Sequence, residues 1–359
     1  MTGIMDLVES VNAIISPAYL VGGAVRDHVM GLEPKDYDFC TPVRPDEIEQ
    51  RVKAAGRHVN PIGKRYGTIM FKTPVNGTFI PVEVTTFRAE EYREDCRKPD
   101  CVFVENLHDD LSRRDFTINA MAIKPNGKLI DPFGGQKDII DEKGLLRAVG
   151  NPTIRFKEDP LRILRLCRFA SQFGFAAESN TLDKAEKRSH RILMTSKERW
   201  VQEMDKLLLG KEVFHGLQML AYTGVLRYII PELWMQWKFD QRSPYHDFSL
   251  YTHTSKVVEA LPLDIDLRWA GLLHDVAKPF CAVEKGKTFQ RRLYSSVWDV
   301  RQLNFPKHDM LGGEMADRIC GYLKFSKDRR ERVVKLVTEH SGDDSPLKVA
   351  DCGNQKKRD

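Results

Sequence analysis

The stretch Leu20-Val-Gly-Gly-Ala-Val-Arg-Asp27 and, shortly after it, Lys35-Asp-Tyr-Asp38 carry the sharpest local pattern in this chain. Apolar residues before the two glycines predict a short strand, and the run after them predicts a helix. Glycines at such a junction let the backbone approach a phosphate closely, and the start of the helix offers free N–H groups at the positive end of its dipole. Asp36 and Asp38 are two apart on a second predicted strand, so both carboxylates are expected on one face. Paired carboxylates beside a phosphate cradle predict a two-Mg²⁺ phosphoryl or nucleotidyl transfer site.

The Asp-x-Asp spacing is a weak indicator by itself, because Asp264-Ile-Asp266 has the same spacing and is interpreted as a surface or structural pair. The glycine turn and the nearby Arg26 favour a functional interpretation of the first pair. A third carboxylate is expected from a neighbouring strand, and Glu83 lies in a strand pattern whose adjacent valines take the opposite face. The alternative for Glu83 is a solvent-facing glutamate on an ordinary strand.

A second polar cluster lies in Asp110-Leu-Ser-Arg-Arg-Asp-Phe-Thr-Ile-Asn119, at the start of a predicted helix. Guanidinium groups bind phosphate in a forked geometry, and a carboxylate accepts a hydrogen bond from a ribose hydroxyl. The Arg-Arg-Asp sequence therefore suits a triphosphate and a ribose. Taken alone, such a cluster is more often a set of surface ion pairs.

Length and composition set the class of protein. The chain has 359 residues, of which 42% are hydrophobic and 30% charged, which excludes a disordered or fibrous chain and predicts two or three globular domains. No apolar run approaches the roughly 18 residues of a membrane span, and the N-terminal residues do not form a signal-peptide pattern. Seven cysteines in a chain this long do not predict a disulfide framework, so we expect a cytoplasmic protein with reduced thiols. The net charge of +5 permits a nucleic-acid partner.

Periodicity predicts a mixed α+β unit over about 1–150, in which the charge-rich segment 88–108 is expected to be a long loop. From residue 155 onward helical periods dominate. The predicted helices there are 160–173, 181–189, 197–209, 212–224, 252–260, 266–277, 308–323 and 328–340.

Several motifs occur in a fixed order along residues 19–210. They are Gly-Gly-x-Val-Arg-Asp, Asp-x-Asp, Arg-Arg-Asp-Phe-Thr-Ile-Asn, Asp131-Pro-Phe-Gly-Gly, Glu158-Asp-Pro-Leu-Arg-Ile-Leu-Arg165 and Ser196-Lys-Glu-Arg-Trp-Val-Gln-Glu203. As an ordered set they resemble the class II tRNA nucleotidyltransferases, the CCA-adding enzymes, and the related bacterial poly(A) polymerases.

This resemblance implies an α+β fold class: a mixed β-sheet head of the nucleotidyltransferase fold, followed by an all-helical neck, body and C-terminal domain. It implies that Asp36 and Asp38 hold Mg²⁺, with Glu83 as the third catalytic carboxylate. The residues that it assigns to nucleotide binding are Gly23, Arg26, Arg114, Asp115, Asn119, Asp159, Arg162, Arg165 and Arg168.

The last four of these residues belong to a predicted nucleotide-reading helix. Three-residue steps place Asp159, Arg162 and Arg165 within a 120° sector, with Arg168 a further 60° round. An aspartate acceptor beside an arginine donor matches an amino group next to an unprotonated ring nitrogen, the pattern of cytosine and adenine but not of uracil or guanine. The alternative is an amphipathic helix with an exposed arginine stripe.

The C-terminal part of the chain holds a second constellation of histidine and aspartate residues. It resembles the HD phosphohydrolase superfamily, a helical fold whose ligands bind divalent metals such as Mg²⁺, Mn²⁺, Ni²⁺ or Co²⁺. The ligand set that the resemblance implies is His253, His274, Asp275, His308, His340 and Asp351. Ordinary surface histidines on helices are the alternative for His308 and His340.

The combined expectation is template-independent addition or repair of the 3′-terminal CCA of tRNA from CTP and ATP, with phosphatase or 2′,3′-cyclic phosphodiesterase activity in the HD-type domain. The expected domains are a catalytic head over 1–150, a helical neck and body over 151–225, and an HD-type domain over 226–359. The partners are tRNA and the two nucleotides, with no membrane and no obligate protein partner. The alternatives are a poly(A) polymerase, a partial CC- or A-adding enzyme, and an HD nucleotide phosphohydrolase whose head only binds RNA.

Overall fold

The computed structural model describes residues 3–91, 100–141, 144–243, 249–293, 296–342 and 345–347. The chain divides into two compact units. One comprises Met1–Glu158 with Ala176–Thr181, and the other comprises Asp159–Phe175 with Leu182–Asp359.

The first unit is built on a seven-stranded mixed sheet. Its strands are β1 (Tyr19–Val21), β2 (Asp38–Thr41), β3 (Val59–Asn60), β4 (Thr68–Val75), β5 (Thr78–Thr86), β8 (Ala122–Ile123) and β9 (Leu129–Ile130), and they lie in the order β3-β4-β5-β2-β1-β8-β9. Strands β2 and β5 run parallel, and the other neighbours are antiparallel. The helices are α1 (Ile4–Asn12), α2 (Gly23–Val29), α3 (Pro45–Ala54), α4 (Leu107–Ser112), α5 (Gly135–Ile140) and α6 (Pro152–Glu158).

One face of this sheet packs on apolar helix residues, and strand alternation decides which side chains it buries. On β5, Val82 and Val84 are buried in a cluster that also holds Leu7 of α1 and Ile48 of α3. Glu83, between the two valines, is exposed on the opposite face. The period of two therefore leaves the polar side chain of β5 on the open face of the sheet.

Two details of the first unit differ from the prediction. The strand predicted over 35–40 begins only at Asp38, because its partner β1 ends at Val21, where Gly22 turns the chain into α2. The segment 88–108 contains an antiparallel ladder of β6 (Arg88–Glu91) and β7 (Asp100–Phe103), whereas a loop was predicted. Residues 92–99 lie outside the described part of the chain.

Helices dominate the rest of the chain, in agreement with the periodicity. They are α7 (Leu161–Phe173), α8 (Ser179–Arg188), α9 (Lys197–Leu208), α10 (Val213–Tyr222), α11 (Leu226–Ile229), α12 (Pro231–Gln236), α13 (Leu250–Ala260), α14 (Ile265–Leu273), α15 (His308–Tyr322) and α16 (Lys327–Thr338). A small parallel pair joins β10 (Leu145–Leu146) to β11 (Ala176–Ala177). A hairpin of β12 (Val283–Leu293) and β13 (Ser296–Asn304) interrupts the helices and was not predicted.

The predicted fold class, a mixed sheet head followed by a mainly helical remainder, is confirmed. Within the described ranges, no helix is both long enough and apolar enough to cross a membrane. The boundaries of the three expected domains stay a prediction.

Candidate active site and metal centre

Three carboxylates gather at one edge of the open sheet face. The parallel register of β2 and β5 sets Asp38 directly beside Glu83. Reduced hydration in this concave site raises the pKa of Asp38, an effect that Arg114 opposes and Asp36 reinforces. The pKa of Glu83 is raised by desolvation and then by the charges of Asp38 and Asp36. The predicted trio is therefore within electrostatic reach, although Asp36 precedes the strand instead of lying on it.

This trio fits a divalent cation by its chemistry. Among the described residues, no cationic side chain forms an ion pair with Asp36, Asp38 or Glu83. Carboxylate oxygens are the ligands that Mg²⁺ prefers, and uncompensated charge on them is relieved by a cation. In the described structure, the carboxylate oxygens of Asp36, Asp38 and Glu83 do not all lie within 4.8 Å of one another.

Gly22 keeps open the space between the carboxylates and an arginine. Its φ of +71° lies in the left-handed region, which favours glycine. A Cβ atom there would lie 2.9 Å from Nη1 of Arg114 and 3.8 Å from Oδ2 of Asp38. The predicted glycine, Gly23, opens α2, and a Cβ on it would make only an ordinary contact with Arg26. The lack of a side chain is therefore needed at position 22 and not at position 23.

A buried carboxylate, Asp110 on α4, positions the two arginines of the second motif. Its Oδ1 lies 2.9 Å from Nη2 of Arg113, and its Oδ2 lies 3.3 Å from Nη2 of Arg114. Burial alone raises the pKa of Asp110, but the two guanidinium groups and a hydrogen bond from the Arg88 backbone N–H hold it below its ordinary value. A cavity of about 260 Å³ is lined by Asp38, Glu83, Arg88, Asp110, Arg113 and Arg114, among others. No role was predicted for Asp110, although its place three and four residues before the arginines was an available signal.

The other nucleotide-binding candidates of the head form a hydrogen-bonded chain. Nη1 of Arg26 donates to Oδ1 of Asn119 over 2.8 Å, and Nδ2 of Asn119 donates to Oδ1 of Asp115 over 3.0 Å. Arg26 also pairs with Asp27 at 2.7 Å. Asp115 and Asn119 are buried, so both are held by protein groups in the structure.

We expect Asp110→Asn to lower the free energy of unfolding by about 1–3 kcal/mol, because it removes the buried anion that pairs with the guanidinium groups of Arg113 and Arg114. The lowered pKa of Asp110 in the folded state means that its charge stabilises the protein above the ordinary carboxyl pKa, and that this contribution disappears as the pH falls through the lowered value. The stability difference between wild type and variant should therefore be present at pH 7 and shrink below about pH 4. Urea unfolding across pH measures it, with the exposed neighbour Asp109→Asn as the control. An equal effect of both variants would contradict this role for Asp110.

Within the second unit, the predicted nucleotide-reading helix begins two residues later than its first candidate. Asp159 precedes α7, where its Oδ1 accepts from the Leu161 N–H at 3.0 Å and its Oδ2 pairs with Arg199 at 2.9 Å. The 120° sector predicted for a continuous helix therefore does not include Asp159, because Pro160 stands at the helix start.

The three arginines on α7 do not form an exposed stripe. Arg162 and Arg168 are buried, and Arg165 is partly exposed. Nε of Arg168 lies 3.2 Å from Oε2 of Glu203 on α9, and the Arg168 guanidinium stacks 4.1 Å over the Phe169 ring. Glu203, a buried residue of the last quoted motif, thus pairs with two of the α7 arginines, Arg165 and Arg168.

A cluster of four histidines around one aspartate lies in the second unit. His253 comes from α13, His274 and Asp275 follow α14, His308 begins α15, and His340 follows α16. Two groups have all their ligand atoms within 4.8 Å of one another, and both contain Asp275: one adds His253 and His274, the other His308 and His340. Asp351 lies outside the described residues.

Backbone carbonyls orient these imidazoles. Nδ1 of His274 lies 2.7 Å from the Gly271 carbonyl oxygen, Nδ1 of His308 lies 2.9 Å from that of Phe305, and Nδ1 of His340 lies 2.7 Å from that of Val337. Each contact suits a proton on Nδ1, and the three Nε2 atoms lie 3.1, 3.6 and 3.8 Å from the Asp275 carboxylate oxygens, where neutral imidazoles would offer their lone pairs to a bound cation. Burial, followed by the charge of His274, lowers the pKa of His340 to about 4, so this side chain is neutral near pH 7. The donor set therefore fits divalent transition metals.

Lys278, for which no role was predicted, lies next to the histidine cluster. Its Nζ lies 2.7 Å from Oδ2 of Asp275 and 3.4 Å from Oε1 of Gln241. Burial raises the pKa of Asp275, but the adjacent His274 and Lys278 hold it well below the ordinary value. Asp275 is thus an anion with a built-in counter-ion.

Three family models match successive parts of the chain. They are the poly A polymerase head domain over residues 18–147, the probable RNA and SrmB-binding site of polymerase A over 174–236, and the HD domain over 250–354.

Curated relatives named CCA-adding enzyme match the chain at about 42% identity. The one from Ligilactobacillus salivarius is 41% identical over 225 residues, which is 62% of this chain and 53% of that protein. The one from Bacillus velezensis is 43% identical over 211 residues, or 58% of this chain and 51% of that protein. The chain thus spans about half the length of the curated relatives that it matches.

Solved structures share the fold over nearly the whole chain. A Bacillus stearothermophilus CCA-adding enzyme in complex with CTP has a TM-score of 0.61 at 23% identity, covering 98% of this chain and 80% of that one. A Thermotoga maritima CCA-adding enzyme complexed with tRNA has a TM-score of 0.53 at 20% identity, covering 99% and 82%. The chain is therefore similar in sequence to the poly A polymerase head domain, to the HD domain and to curated CCA-adding enzymes, and it shares the fold of the solved CCA-adding enzymes.

Proposed function

We propose that this protein adds or repairs the 3′-terminal CCA of tRNA with CTP and ATP, without a nucleic-acid template. The observation that carries the proposal is that Asp38 and Glu83 lie at neighbouring positions on β2 and β5, beside the cavity lined by Arg113 and Arg114. Carboxylates next to fixed guanidinium groups suit the transfer of a nucleotidyl group from a triphosphate. The relatives named CCA-adding enzyme support tRNA as the acceptor.

Asp36, Asp38 and Glu83 would hold divalent ions, Mg²⁺ in this proposal, which activate the attacking 3′-hydroxyl and stabilise the leaving pyrophosphate. Arg114 and Arg113, fixed by Asp110, bind the triphosphate oxygens in a forked geometry. Of the remaining head candidates, Arg26, Asp115 and Asn119 support the triphosphate and the ribose through their shared hydrogen-bond chain, and Gly23 contributes the start of α2.

We assign base selection to Asp159, Arg162, Arg165 and Arg168. In this proposal Asp159 accepts from the amino group of cytosine or adenine, and an arginine donates to the adjacent ring nitrogen. Uracil and guanine present the opposite pattern and leave the aspartate acceptor and the arginine donor unmatched. The pair between Arg168 and Glu203 restricts the arginine to a single orientation.

We expect Asp159→Ala to weaken the use of CTP and ATP together and to narrow their advantage over UTP and GTP. Loss of the acceptor should reduce selectivity by a factor that corresponds to roughly 1–3 kcal/mol. The measurement is kcat/KM for each nucleotide with tRNA lacking CCA, alongside the unfolding temperature, because Asp159 also accepts from the Leu161 N–H at the start of α7. Asp183→Ala, which alters a half-exposed aspartate on α8, is the control. Unchanged selectivity over UTP would contradict the assignment, whatever the overall rate.

The HD cluster supports a second activity, the metal-dependent hydrolysis of phosphate esters, including 2′,3′-cyclic phosphates. Two ligand groups that share the buried Asp275 are the observation that favours it. His253, His274, Asp275, His308 and His340 would hold Ni²⁺, Mn²⁺, Co²⁺ or Mg²⁺, and Asp351 stays a predicted further ligand. We propose the same domain boundaries as before: the head over 1–150, the neck and body over 151–225, and the HD-type domain over 226–359.

Product length decides among the nucleotidyltransferase alternatives. The protein is incubated with a tRNA transcript that ends at the discriminator base, with each nucleoside triphosphate alone and in combination. We expect two added residues with CTP and three with CTP and ATP together. Long adenylate tails would indicate a poly(A) polymerase, and addition of only CC or only A would indicate a partial enzyme. No addition in any mixture would remove the head from catalysis and favour an RNA-binding role.

A further inference from the structure

The open face of the sheet continues beyond the carboxylates as a wide groove. Strand alternation on β5 directs Phe79, Pro81 and Glu83 to this face, and the register of β4 sets Lys72 opposite Pro81 and Met70 opposite Glu83. The groove has a volume of about 1050 Å³, and all its lining residues belong to the first unit. Apolar side chains therefore line the part of the groove next to Glu83.

Aromatic and cationic groups occur together in this groove. The Phe79 side chain is 53% exposed, and the Arg57 guanidinium stacks 5.3 Å above its ring. Nε of Arg57 is shielded from water without a hydrogen-bond partner. In the described structure neither Arg57 nor Lys72 forms an ion pair with a carboxylate. Exposed aromatics beside uncompensated cations are the chemistry with which proteins bind single-stranded nucleic acid.

Glu83 lines both this groove and the cavity that contains Arg113 and Arg114. In a nucleotidyl transfer, the attacking oxygen and the leaving pyrophosphate lie roughly in line on opposite sides of the transferred phosphorus. If the arginines bind the triphosphate, the attacking strand must approach the carboxylates from another side. The groove provides that approach, since Asp36 and Glu83 are part of its wall.

We propose that this groove binds the unpaired 3′-terminal nucleotides of the RNA acceptor, with a base stacked on Phe79 and phosphates bound by Arg57 and Lys72. The inference rests on the proposed nucleotidyltransferase function and assigns the acceptor strand to a named surface. The groove delivers the 3′-hydroxyl to the carboxylates, while the incoming triphosphate occupies the arginine cavity. Phe79, Arg57 and Lys72 therefore set the affinity for RNA and leave the affinity for CTP unchanged.

The kinetic test uses Phe79→Ala and the double variant Arg57→Ala/Lys72→Ala with tRNA that ends at the discriminator base. We expect Phe79→Ala to raise KM for tRNA at least about fivefold and to change KM for CTP less than twofold, because stacking on an aromatic side chain contributes to RNA affinity alone. The double variant should also lower the slope of log affinity against log salt by about 1.4, or about 0.7 for each lost phosphate contact on a single strand. Ile140→Ala and Lys128→Ala/Lys137→Ala, exposed positions of the first unit outside the groove, are the matched controls. Equal changes in both KM values, or no change in either, would overturn the proposal.

A crosslinking test separates this inference from the proposed function, because it does not require catalysis. A tRNA transcript with 4-thiouridine at its last position is irradiated with the wild-type protein, and crosslinked peptides are identified by mass spectrometry. Crosslinks to residues 56–61 or 70–83 support the groove even if no nucleotide is added. Nucleotide addition with crosslinks confined to other peptides overturns the groove and leaves the proposed function standing. A wild-type dimer that Phe79→Ala converts to a monomer, with RNA kinetics unchanged, would show that a second copy of the chain occupies the groove and would also overturn the inference.

Discussion

Asp38→Asn is expected to reduce nucleotide addition by at least about 10³-fold while tRNA binding is retained. The substitution keeps the shape of the side chain but removes a negative charge beside Glu83, and electrostatic stabilisation at such a site contributes several kcal/mol to the transition state. Asp36→Ala should have an effect of similar size. The measurements are single-turnover addition of CMP to tRNA that lacks CCA, and tRNA affinity by filter binding. Rates close to wild type in either variant would exclude the head carboxylates from the mechanism.

The same variant provides a stability readout that distinguishes a functional cluster from a structural one. The pKa of Asp38 is raised in the folded protein, so its charged form costs stability at pH values above that pKa. Asp38→Asn removes this cost, and in EDTA it should unfold at the same temperature as wild type or higher. Asp264→Asn is the control. It alters the other Asp-x-Asp motif, where Asp264 forms an ion pair with Arg332, and it should leave nucleotide addition unchanged. A marked loss of stability in Asp38→Asn would indicate a structural role.

Asp275→Asn and His274→Ala are expected to abolish metal-dependent hydrolysis and leave CCA addition intact. Asp275 belongs to both ligand groups, so its loss should lower metal affinity in both. We expect a loss of at least about 100-fold, because changes to residues that only support the ligands already cost up to about 100-fold. The assays are bound metal after dialysis, and hydrolysis of p-nitrophenyl phosphate and 2′,3′-cyclic AMP with Ni²⁺, Mn²⁺, Co²⁺ or Mg²⁺. Asn is preferred to Ala at position 275 because it retains a hydrogen-bond acceptor for the partly buried Lys278.

His190→Ala, an exposed histidine of the second unit, is the control for this experiment. No hydrolysis by the wild type with any of the four metals would contradict the second activity and leave the HD cluster as a structural element. Hydrolysis that persists in both variants would place the activity elsewhere. If hydrolysis and CCA addition fall together with unchanged metal content, the two residues support the core of the protein instead of binding metal.

Several elements of the fold were predicted correctly because their causes are local. The spacing of apolar residues gave most helices of the second unit to within a few residues, as for α9 and α15. The alternation on β5 gave the exposed position of Glu83. The strand bearing Asp38 was predicted too long, since its start depends on where β1 stops pairing, which the local pattern does not contain.

Residues that act by positioning others were missed. Asp110 and Glu203 are carboxylates within helical patterns, and the only local signal for either was the spacing of Asp110 from Arg113 and Arg114, which is also common among surface ion pairs. Their importance comes from burial against arginines, three and four residues away for Asp110 and on another helix for Glu203. The hairpin of β12 and β13 was also missed, because the helical periods on either side of it gave no reason to expect strands.

The order of the motifs, the glycine turn at Gly22-Gly23 and the histidine–aspartate pair at 274–275 are properties of the linear chain, and they were sufficient for the fold class and for the resemblance to CCA-adding enzymes. Tertiary structure alone set Asp38 beside Glu83, brought His253, His308 and His340 from three helices around Asp275, and opened the groove next to Glu83. The physical reason for this difference is the distance along the chain over which each interaction acts. Turn chemistry and side-chain periodicity act over a few residues, whereas strand register, burial and the convergence of ligands depend on contacts between segments far apart in the chain.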